Sequence, residues 1–485
     1  MFGYRTILAE APRPVAIREH PWAPWLAVAV VCFGAFMGQL DASIVTLTFR
    51  PMEREFAAPL AAVQWVSLSY LLVLVALLTP AGRIADVIGR KLVYGYGFAV
   101  FTLASAACAF APSLAALIAF RLVEATGAAM LQSTSVALVT TSVPPRHMRV
   151  GLSIQAAAQA IGLGLGPTLG GVLTQTAGWR AVYWINVPVG CLAIVACRYL
   201  VPRTRHRSPG GSFDWLGSVL LGAATTTLLV VLSIAGGLSA PGWLTLIMTV
   251  VALASAVAFA ARQRRAPYPL VPPALLRSAR IRLGLAGACL GYLVLFGPLV
   301  LVPQLLAGQA SEARAGLLLS ALPAGFGIAA LGAEAVLPSR WRNRTRGIIG
   351  AGACTAALAM LIFMSSSTVG IVVLLGLAGL GLGIFVPANN ALIMRTGAAS
   401  TSGTLGGLVN MARGIGTTLG IALVTLALHV GSHATGRPGG TLAFVMLAAA
   451  ALCAALVAAV IRPLPATPGE QGAGAPEPEG SGAFH

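Results

Sequence analysis

Long runs of residues without a charged side chain dominate this 485-residue chain and limit what it can fold into. Many of these runs have about the twenty residues that an α-helix needs to cross a hydrocarbon core of about 30 Å. Hydrophobic residues make up 57% of the sequence and charged residues only 9%, whereas soluble proteins have about 25% charged residues. The pattern therefore predicts an all-α polytopic membrane protein.

We predict fourteen membrane-spanning helices joined by short loops. The charge-poor runs fall near residues 23–48, 62–80, 92–111, 114–142, 150–174, 179–200, 214–236, 242–261, 283–307, 315–338, 347–365, 368–394, 401–430 and 441–461. With the amino terminus inside, the inner segments hold 24 Lys and Arg residues and the outer loops hold 5. Because cytoplasmic loops collect basic residues, we predict that both termini are cytoplasmic and that the net charge of +18 mostly reflects topology.

Several classes of protein are disfavoured. The arginines are dispersed over short loops instead of forming one basic face, so we expect no nucleic-acid partner. The seven cysteines lie in apolar runs without histidines at ligand spacing, so we expect neither a disulfide framework nor a metal site, and no cofactor. No catalytic triad or phosphate-binding loop is recognisable, and we expect no enzymatic activity.

The chain contains an internal repeat. A tight basic loop at residues 82–91 follows the second span, and another at 338–347, which lacks the aspartate, follows the tenth. A glycine-rich fifth span likewise has a counterpart in the thirteenth, so both pairs are eight spans apart. This spacing predicts two six-helix bundles with two inserted helices, the arrangement of many secondary transporters. The predicted units are a cytoplasmic tail (1–22), a first bundle (23–200), the inserted pair with basic loops (201–282), a second bundle (283–462) and a disordered cytoplasmic tail (463–485).

Several motifs resemble a known family. The loop GRIADVIGRK at 82–91 is similar to the signature loop of the major facilitator superfamily. Motifs similar to the fourteen-helix drug:proton antiporters of that superfamily are LDASIV at 40–45, Arg121 with Gly127, GLGLGPTLGG at 162–171, WR at 179–180, INVPVG at 185–190 and FDWLG at 213–217. The resemblance implies the major facilitator fold and a proton-coupled multidrug or antibiotic efflux transporter, monomeric in the bacterial cytoplasmic membrane. Two acids depart from the family pattern, Glu124 where glutamine is usual and Glu334 in the tenth span.

The 82–91 loop is predicted to be a conformational latch. Asp86 can pair with Arg90 four residues on, or accept hydrogen bonds from backbone N–H groups at the start of a neighbouring helix. Gly82 and Gly89 allow the helices to approach closely, and Lys91 adds a further charge. The alternative is that the loop only retains positive charge on the cytoplasmic side.

The fifth span carries a stripe of glycines. Gly162, Gly166 and Gly170 are four residues apart and so share one helix face, where another helix can approach at backbone distance. Pro167 removes a backbone donor and favours a bend, and Gly171 completes the motif. In the resembled family this motif marks exporters and is thought to seal the path. The alternative is ordinary helix packing.

Ionisable residues inside spans are the candidates for chemistry, because a charge in hydrocarbon is costly unless it is paired or hydrated. Our hypothesis is that Asp41 or Glu124 binds a coupling proton and that Arg121, three residues before Glu124 on the same helical face, sets the proton affinity. The alternative is a structural ion pair that joins helices.

A second set of polar residues is predicted to line a substrate path. Its members are Gln39, Gln159, Glu334, Asn389, Asn390, Asn410 and Arg413. The amides can instead bond across helix pairs, and Glu334 can lie in a cavity or at the inner interface. Arg413 can bind an anionic substrate group or hold backbone carbonyls of its own span.

These features predict a transporter that works by alternating access. The leading hypothesis is proton-coupled export of lipophilic, often cationic drugs or antibiotics across the bilayer. The alternative transport function is export or flipping of amphipathic lipids, or of an anionic metabolite recognised by Arg413. A membrane sensor or scaffold is a third possibility, but it needs neither intramembrane acids nor a repeated latch.

Overall fold

The computed structural model describes residue 10 and residues 12–58, 60–63, 65–204, 213–235, 240–306, 318–338, 341–364, 368–435 and 440–461. Within these residues the fold is helical, without β-strands. The long helices are α1 Ala23–Ile44, α2 Trp65–Ile88, α3 Arg90–Ala109, α4 Leu114–Ser142, α5 Met148–Ala177, α6 Asn186–Leu200, α7 Trp215–Ala235, α8 Gly242–Arg265, α9 Ala279–Leu306, α10 Ala321–Val336, α11 Asn343–Met364, α12 Thr368–Thr396, α13 Ser402–Thr435 and α14 Gly440–Val460.

One short helix precedes the first long helix, and the other short helices lie between long ones. They are the α-helices Val15–Arg18, Phe49–Phe56, Leu60–Val63, Ala181–Trp184 and Pro273–Arg277, and the 3-10 helices Val45–Thr48, Pro145–His147 and Ala399–Thr401. Ala181–Trp184 continues into α6, and together they form one apolar span of 20 residues.

The predicted all-α membrane fold is confirmed. In the described part of the chain, twelve helices are long and apolar enough to cross a membrane, and the bent α5 raises this number to thirteen. The remaining predicted span, 315–338, corresponds to α10, an apolar helix of 16 residues that begins just after residues outside the described set. The predicted tail at 463–485 also lies outside the described residues.

The helices form two six-helix bundles. In the first, α1 packs on α4, α5 and α6, while α4 packs on α2 and α3. In the second, α12 packs on α9, α10 and α11, while α14 packs on α9, α11 and α13. The bundles meet where α2 contacts α13 and where α5 contacts α10. These two contacts are equivalent when each helix of the first bundle is matched to the helix eight positions later, which is the repeat that the sequence indicates.

The inserted pair lies beside this junction. Helix α7 packs against α2 of one bundle and α13 of the other, whereas α8 packs mainly on α7. None of the most apolar stretch of α8 is buried, so its side chains are available to lipid. Asp214 joins the pair because it accepts hydrogen bonds from Arg262 Nε (3.2 Å) and Gln263 Nε2 (3.2 Å).

Backbone contact between α2 and α13 depends on glycine. A Cβ atom added to Gly82 would lie 2.3 Å from the carbonyl oxygen of Gly403, and one added to Gly407 would lie 2.5 Å from that of Leu78. At the end of α2 the chain turns through Gly89, whose φ of +124° disfavours any other residue. The bundles are therefore held together at a distance that only glycines permit.

We expect Gly82→Ala to lower the apparent unfolding temperature by a few degrees, because overpacking a tight contact costs about 1–3 kcal/mol. Gly352→Ala is the matched control, since an added Cβ there meets nothing within 4 Å. The control should leave the temperature unchanged or raise it slightly, because alanine is the better helix former. Differential scanning fluorimetry of both proteins in detergent measures the difference, and equal temperatures would contradict the packing argument.

Candidate functional site

Three charged side chains form a buried cluster inside the first bundle. Arg121 Nη1 on α4 donates to Asp41 Oδ2 on α1 (2.7 Å) and to Glu124 Oε2 on its own helix (2.9 Å). The exposed fraction of each of these side chains is 1% or less. The sequence predicted these three residues as one group, and the structure brings them together around a single nitrogen.

The cluster has more carboxylate than guanidinium charge. When Asp41 and Glu124 are both ionised, one negative charge remains unmatched by Arg121, and a proton on either acid cancels it. Glu124 Oε1 is buried and has no hydrogen-bond partner among the described residues. A buried acceptor of this kind is costly to leave unpaired, so the arrangement can accommodate a proton or a water molecule.

Several polar neighbours of the cluster were not predicted as site residues. Asn186 Nδ2 donates to Asp41 Oδ1 (3.4 Å) and to Ser105 Oγ (3.1 Å), and the thiol of Cys108 donates to Glu124 Oε2 (3.5 Å). The ring of Tyr70 lies 4.1 Å from the Arg121 guanidinium carbon. Asn186 belongs to the INVPVG motif, which is the sequence signal that could have placed it here.

A separate cavity lies between the two bundles. It is a narrow, partly open pocket lined by residues of α1, α5, α9 and α10, and the empty space between these residues is about 300 Å³ with open solvent included. Its polar wall is formed by Gln39, Gln159 and Tyr292, and its apolar wall includes Phe296 and Phe326. The acids of the buried cluster do not line it.

The predicted substrate-path residues divide between this cavity and other places. Gln39 and Gln159 line it, and Arg413 with Asn410 lies directly behind Gln159. Asn389 Nδ2 donates instead to the Gly284 carbonyl (2.9 Å), against α9. Asn390 is buried on α12, and the structure does not place it on the cavity wall.

The 82–91 segment was predicted as a loop but is helical except at Gly89, because α2 continues to Ile88 and α3 begins at Arg90. It joins the bundles at one end of the molecule, which we call the loop end. Asp86 Oδ1 accepts from Arg90 Nη2 (2.8 Å) and from the backbone N–H of Gly403 (2.8 Å). Asp86 Oδ2 accepts from the backbone N–H and the hydroxyl of Thr404 (2.7 and 2.8 Å). Both contacts considered for Asp86 are therefore present, and the carboxylate lies at the positive end of the α13 dipole.

Lys91 and the backbone of Arg90 anchor this segment within the first bundle. Lys91 Nζ donates to the carbonyl of Arg198 at the end of α6 (2.7 Å), and the backbone N–H of Arg90 donates to Thr204 Oγ1 (2.8 Å).

Glu334 forms a second connection at the loop end. It pairs with Arg149 on α5 and with Arg346 Nη1 on α11 (2.9 Å). Glu334 lies two residues before the end of α10, and Asp86 lies two residues before the end of α2. Their partners also correspond, because Arg149 is the second residue of α5 and Gly403 is the second residue of α13. Glu334 thus lies at the position of the second bundle that corresponds to Asp86, whereas the basic segment at 338–347 has no aspartate.

The glycine stripe of α5 packs on α1. Added Cβ atoms would lie 2.5 Å from the Phe36 carbonyl at Gly162 and 2.8 Å from the Ile44 carbonyl at Gly170, and Gly166 lies against Ser43. Helix α5 bends by 43° between Gly166 and Leu169, a segment that includes Pro167, whose side chain lies outside the described part. The motif therefore couples α5, which lines the cavity, to the helix that carries Asp41.

The end opposite the loop end has its own polar contact. Glu55 accepts from the Trp179 indole N–H (2.6 Å) and from Arg180 Nη1 (2.5 Å). Partial burial raises the pKa of Glu55, but the two hydrogen bonds and the Arg180 charge outweigh it and hold the pKa below its usual value. Glu55 therefore stays ionised at neutral pH and ties the short helix Phe49–Phe56 to the WR motif.

Two bundles related by an eight-helix repeat, closed at one end around a central cavity, define a secondary-transporter fold. Residues 31–421 match the Major Facilitator Superfamily, and the chain belongs to that family.

Similar proteins include resistance and export proteins. The chain is 32% identical over 426 residues to the tetracenomycin C resistance and export protein of Streptomyces glaucescens, covering 86% of this chain and 78% of the relative. It is 31% identical over 461 residues to the methylenomycin A resistance protein of Bacillus subtilis (strain 168), covering 91% of this chain and 95% of the relative. The solved structure of the proton:xylose symporter XylE aligns over 89% of this chain and 94% of its own, with a TM-score of 0.64 at 12% identity, which supports the fold.

We expect Glu334→Gln to loosen the loop end, because it leaves Arg149 and Arg346 without their carboxylate. Hydrogen–deuterium exchange should become faster at the start of α5 and the end of α10 and stay unchanged at the opposite end. Asp214→Asn is the matched control, since it breaks an ion pair with Arg262 inside the inserted pair and not between bundles. Unchanged exchange in α5 and α10 of Glu334→Gln would show that the ion pairs do not hold this end closed.

Proposed function

We propose that the chain is a proton-coupled exporter of lipophilic small molecules, of the drug or antibiotic type, that works by alternating access. The observation that carries the proposal is the buried Asp41, Arg121 and Glu124 cluster, in which two carboxylates share one guanidinium. Such a group is costly in a membrane interior and is expected where protons are bound and released. The resistance and export proteins among its relatives support the same class of substrate.

The contacts suggest how a proton could drive the cycle. The Asp41 to Arg121 pair ties α1 to α4, and a proton on Asp41 removes most of that attraction. Gln39, two residues before Asp41, lines the cavity, and α5 packs on α1 through its glycines. Protonation therefore frees the pair α1 and α5, which together carry the Gln39 and Gln159 wall of the cavity.

The loop end is proposed to face the cytoplasm, because most basic residues lie in loops at that end. The Asp86 contact with α13 and the Glu334 ion pairs then hold the cytoplasmic side closed, and both must break for substrate to enter. We also propose that the transporter lies in a bacterial cytoplasmic membrane and acts as a monomer with both termini inside. The bacterial relatives support the choice of membrane, and the basic inner loops support the orientation of the termini.

We expect Asp41→Asn and Glu124→Gln to reduce pH-gradient-driven export at least about tenfold, because each variant keeps the shape of the acid but removes one titrating site. Export of a fluorescent drug from proteoliposomes with an imposed pH gradient, with and without a protonophore, measures the effect. Glu53→Gln on the short helix Phe49–Phe56 is the control and should export normally. Full pH-driven export by both cluster variants would contradict proton coupling at this site.

A further inference from the structure

Arg413 on α13 is a buried cation without a neutralising partner in the described part of the chain. Its exposed fraction is 5%, and its guanidinium donates to Asn410 Oδ1 (2.9 Å) and to Gln159 Oε1 and lies 4.1 Å from the centre of the Tyr292 ring. No ion pair joins it to a carboxylate among the described residues. Arg121, by contrast, has two carboxylates at one nitrogen.

An amide oxygen or an aromatic face can orient a guanidinium but cannot cancel its charge. A buried charge without a counter-ion is costly, and it persists in membrane proteins chiefly where a ligand or water supplies what is missing. Arg413 is also separated from the Asp41 cluster, which belongs to the first bundle. The missing counter-ion must therefore come from somewhere other than the described residues.

The central cavity is the place from which a counter-ion can reach Arg413. Gln159 and Tyr292, its direct partners, form part of the cavity wall, so the guanidinium lies one side chain behind that wall. No acidic residue lines the cavity among the described residues. Its remaining wall is largely apolar and aromatic, with Leu163, Leu295, Phe296, Pro323 and Phe326. The cavity thus offers an apolar surface beside a single positive charge.

We propose that this cavity binds a substrate with an acidic group, a carboxylate or an ionised phenol or enol, on an apolar body. The acidic group takes the place of Gln159 at the Arg413 guanidinium, which can hold it with two parallel hydrogen bonds. The apolar body packs against the aromatic wall. This inference rests on the proposed export function and narrows it, because a cationic substrate would face Arg413 with like charge and find no carboxylate among the described residues of the wall.

The direction of transport suits an anion. Moving a negative charge out of a cell whose interior is negative is favoured by the membrane potential, so export of an acidic substrate gains from both the potential and the pH gradient. The neutral partners of Arg413 also allow release, since Gln159 can resume its place at the guanidinium when the substrate leaves.

Binding of three matched probes tests the substrate class. The probes share a dansyl group and a six-carbon chain and end in a carboxylate, a primary amide or a trimethylammonium group. Fluorescence titration of the purified chain in detergent should give a Kd for the carboxylate at least about tenfold below that for the ammonium. Equal affinities, or tighter binding of the ammonium, would overturn the proposal.

Two variants locate the preference at Arg413. Arg413→Gln should weaken binding of the carboxylate probe about tenfold and leave the amide probe unchanged, whereas Arg413→Lys should retain part of the preference. Gln159→Glu places a carboxylate beside Arg413 inside the protein and should abolish the preference even if Arg413→Gln does not fold. Two results together would overturn the assignment: folded Arg413→Gln binds all three probes more weakly by the same factor, and Gln159→Glu keeps the selectivity of the wild type.

A separate readout distinguishes this inference from the proposed function. Asp41→Asn should lose pH-driven export of the carboxylate probe from proteoliposomes but keep the carboxylate preference in binding. If the wild type binds the carboxylate selectively and does not export it, the export function fails and the binding site stands. If it exports the ammonium probe in preference to the carboxylate, the export function stands and the acidic-substrate inference fails.

Discussion

A carboxylate buried among membrane helices needs a positively charged group or hydrogen-bond donors close to it. In this structure the few acidic side chains meet this need by contacting neighbouring helices. Asp41 links α1 to α4, Asp86 links α2 to α13, and Glu334 links α10 to α5 and α11. Asp214 joins the inserted helices to each other. With only 13 acidic residues in the chain, four of them link helices within a bundle, between the bundles or within the inserted pair.

The two links at the loop end are variants of one interaction, in which a carboxylate near the end of one helix contacts the start of a helix in the other bundle. Asp86 uses a carboxylate against the backbone N–H groups that begin α13, and Glu334, at the equivalent position of the repeat, uses a carboxylate against the Arg149 side chain that begins α5. The first partner is a helix terminus and the second is an arginine side chain, so the two sides of the junction can differ in strength although their geometry is repeated. An alternating-access cycle that opens this end must break both.

The buried cluster and the central cavity are separate but mechanically connected. Asp41 lies inside the first bundle, and Gln39 on the same helix lines the cavity. The glycine stripe of α5 holds α5 to α1 at backbone distance, so the helix that carries Asp41 and the helix that carries Gln159 are in direct contact. Arg413 of the second bundle lies behind Gln159 on the wall of the same cavity, so the two buried arginines belong to different bundles.

Local pattern determined much of this protein. Hydropathy and charge along the chain predicted the all-α membrane fold and the eight-helix repeat, because bilayer thickness sets the length of each span. Helical periodicity predicted the stripe at Gly162, Gly166 and Gly170 and the grouping of Arg121 with Glu124, because it relates residues that are close in the sequence. Only the tertiary structure decided that Asp41 shares a nitrogen of Arg121, that Asn186 joins them, that Glu334 replaces the missing latch aspartate and that Arg413 has no counter-ion among the described residues. Those outcomes depend on distances between helices far apart in the chain, and no local pattern of residues specifies them.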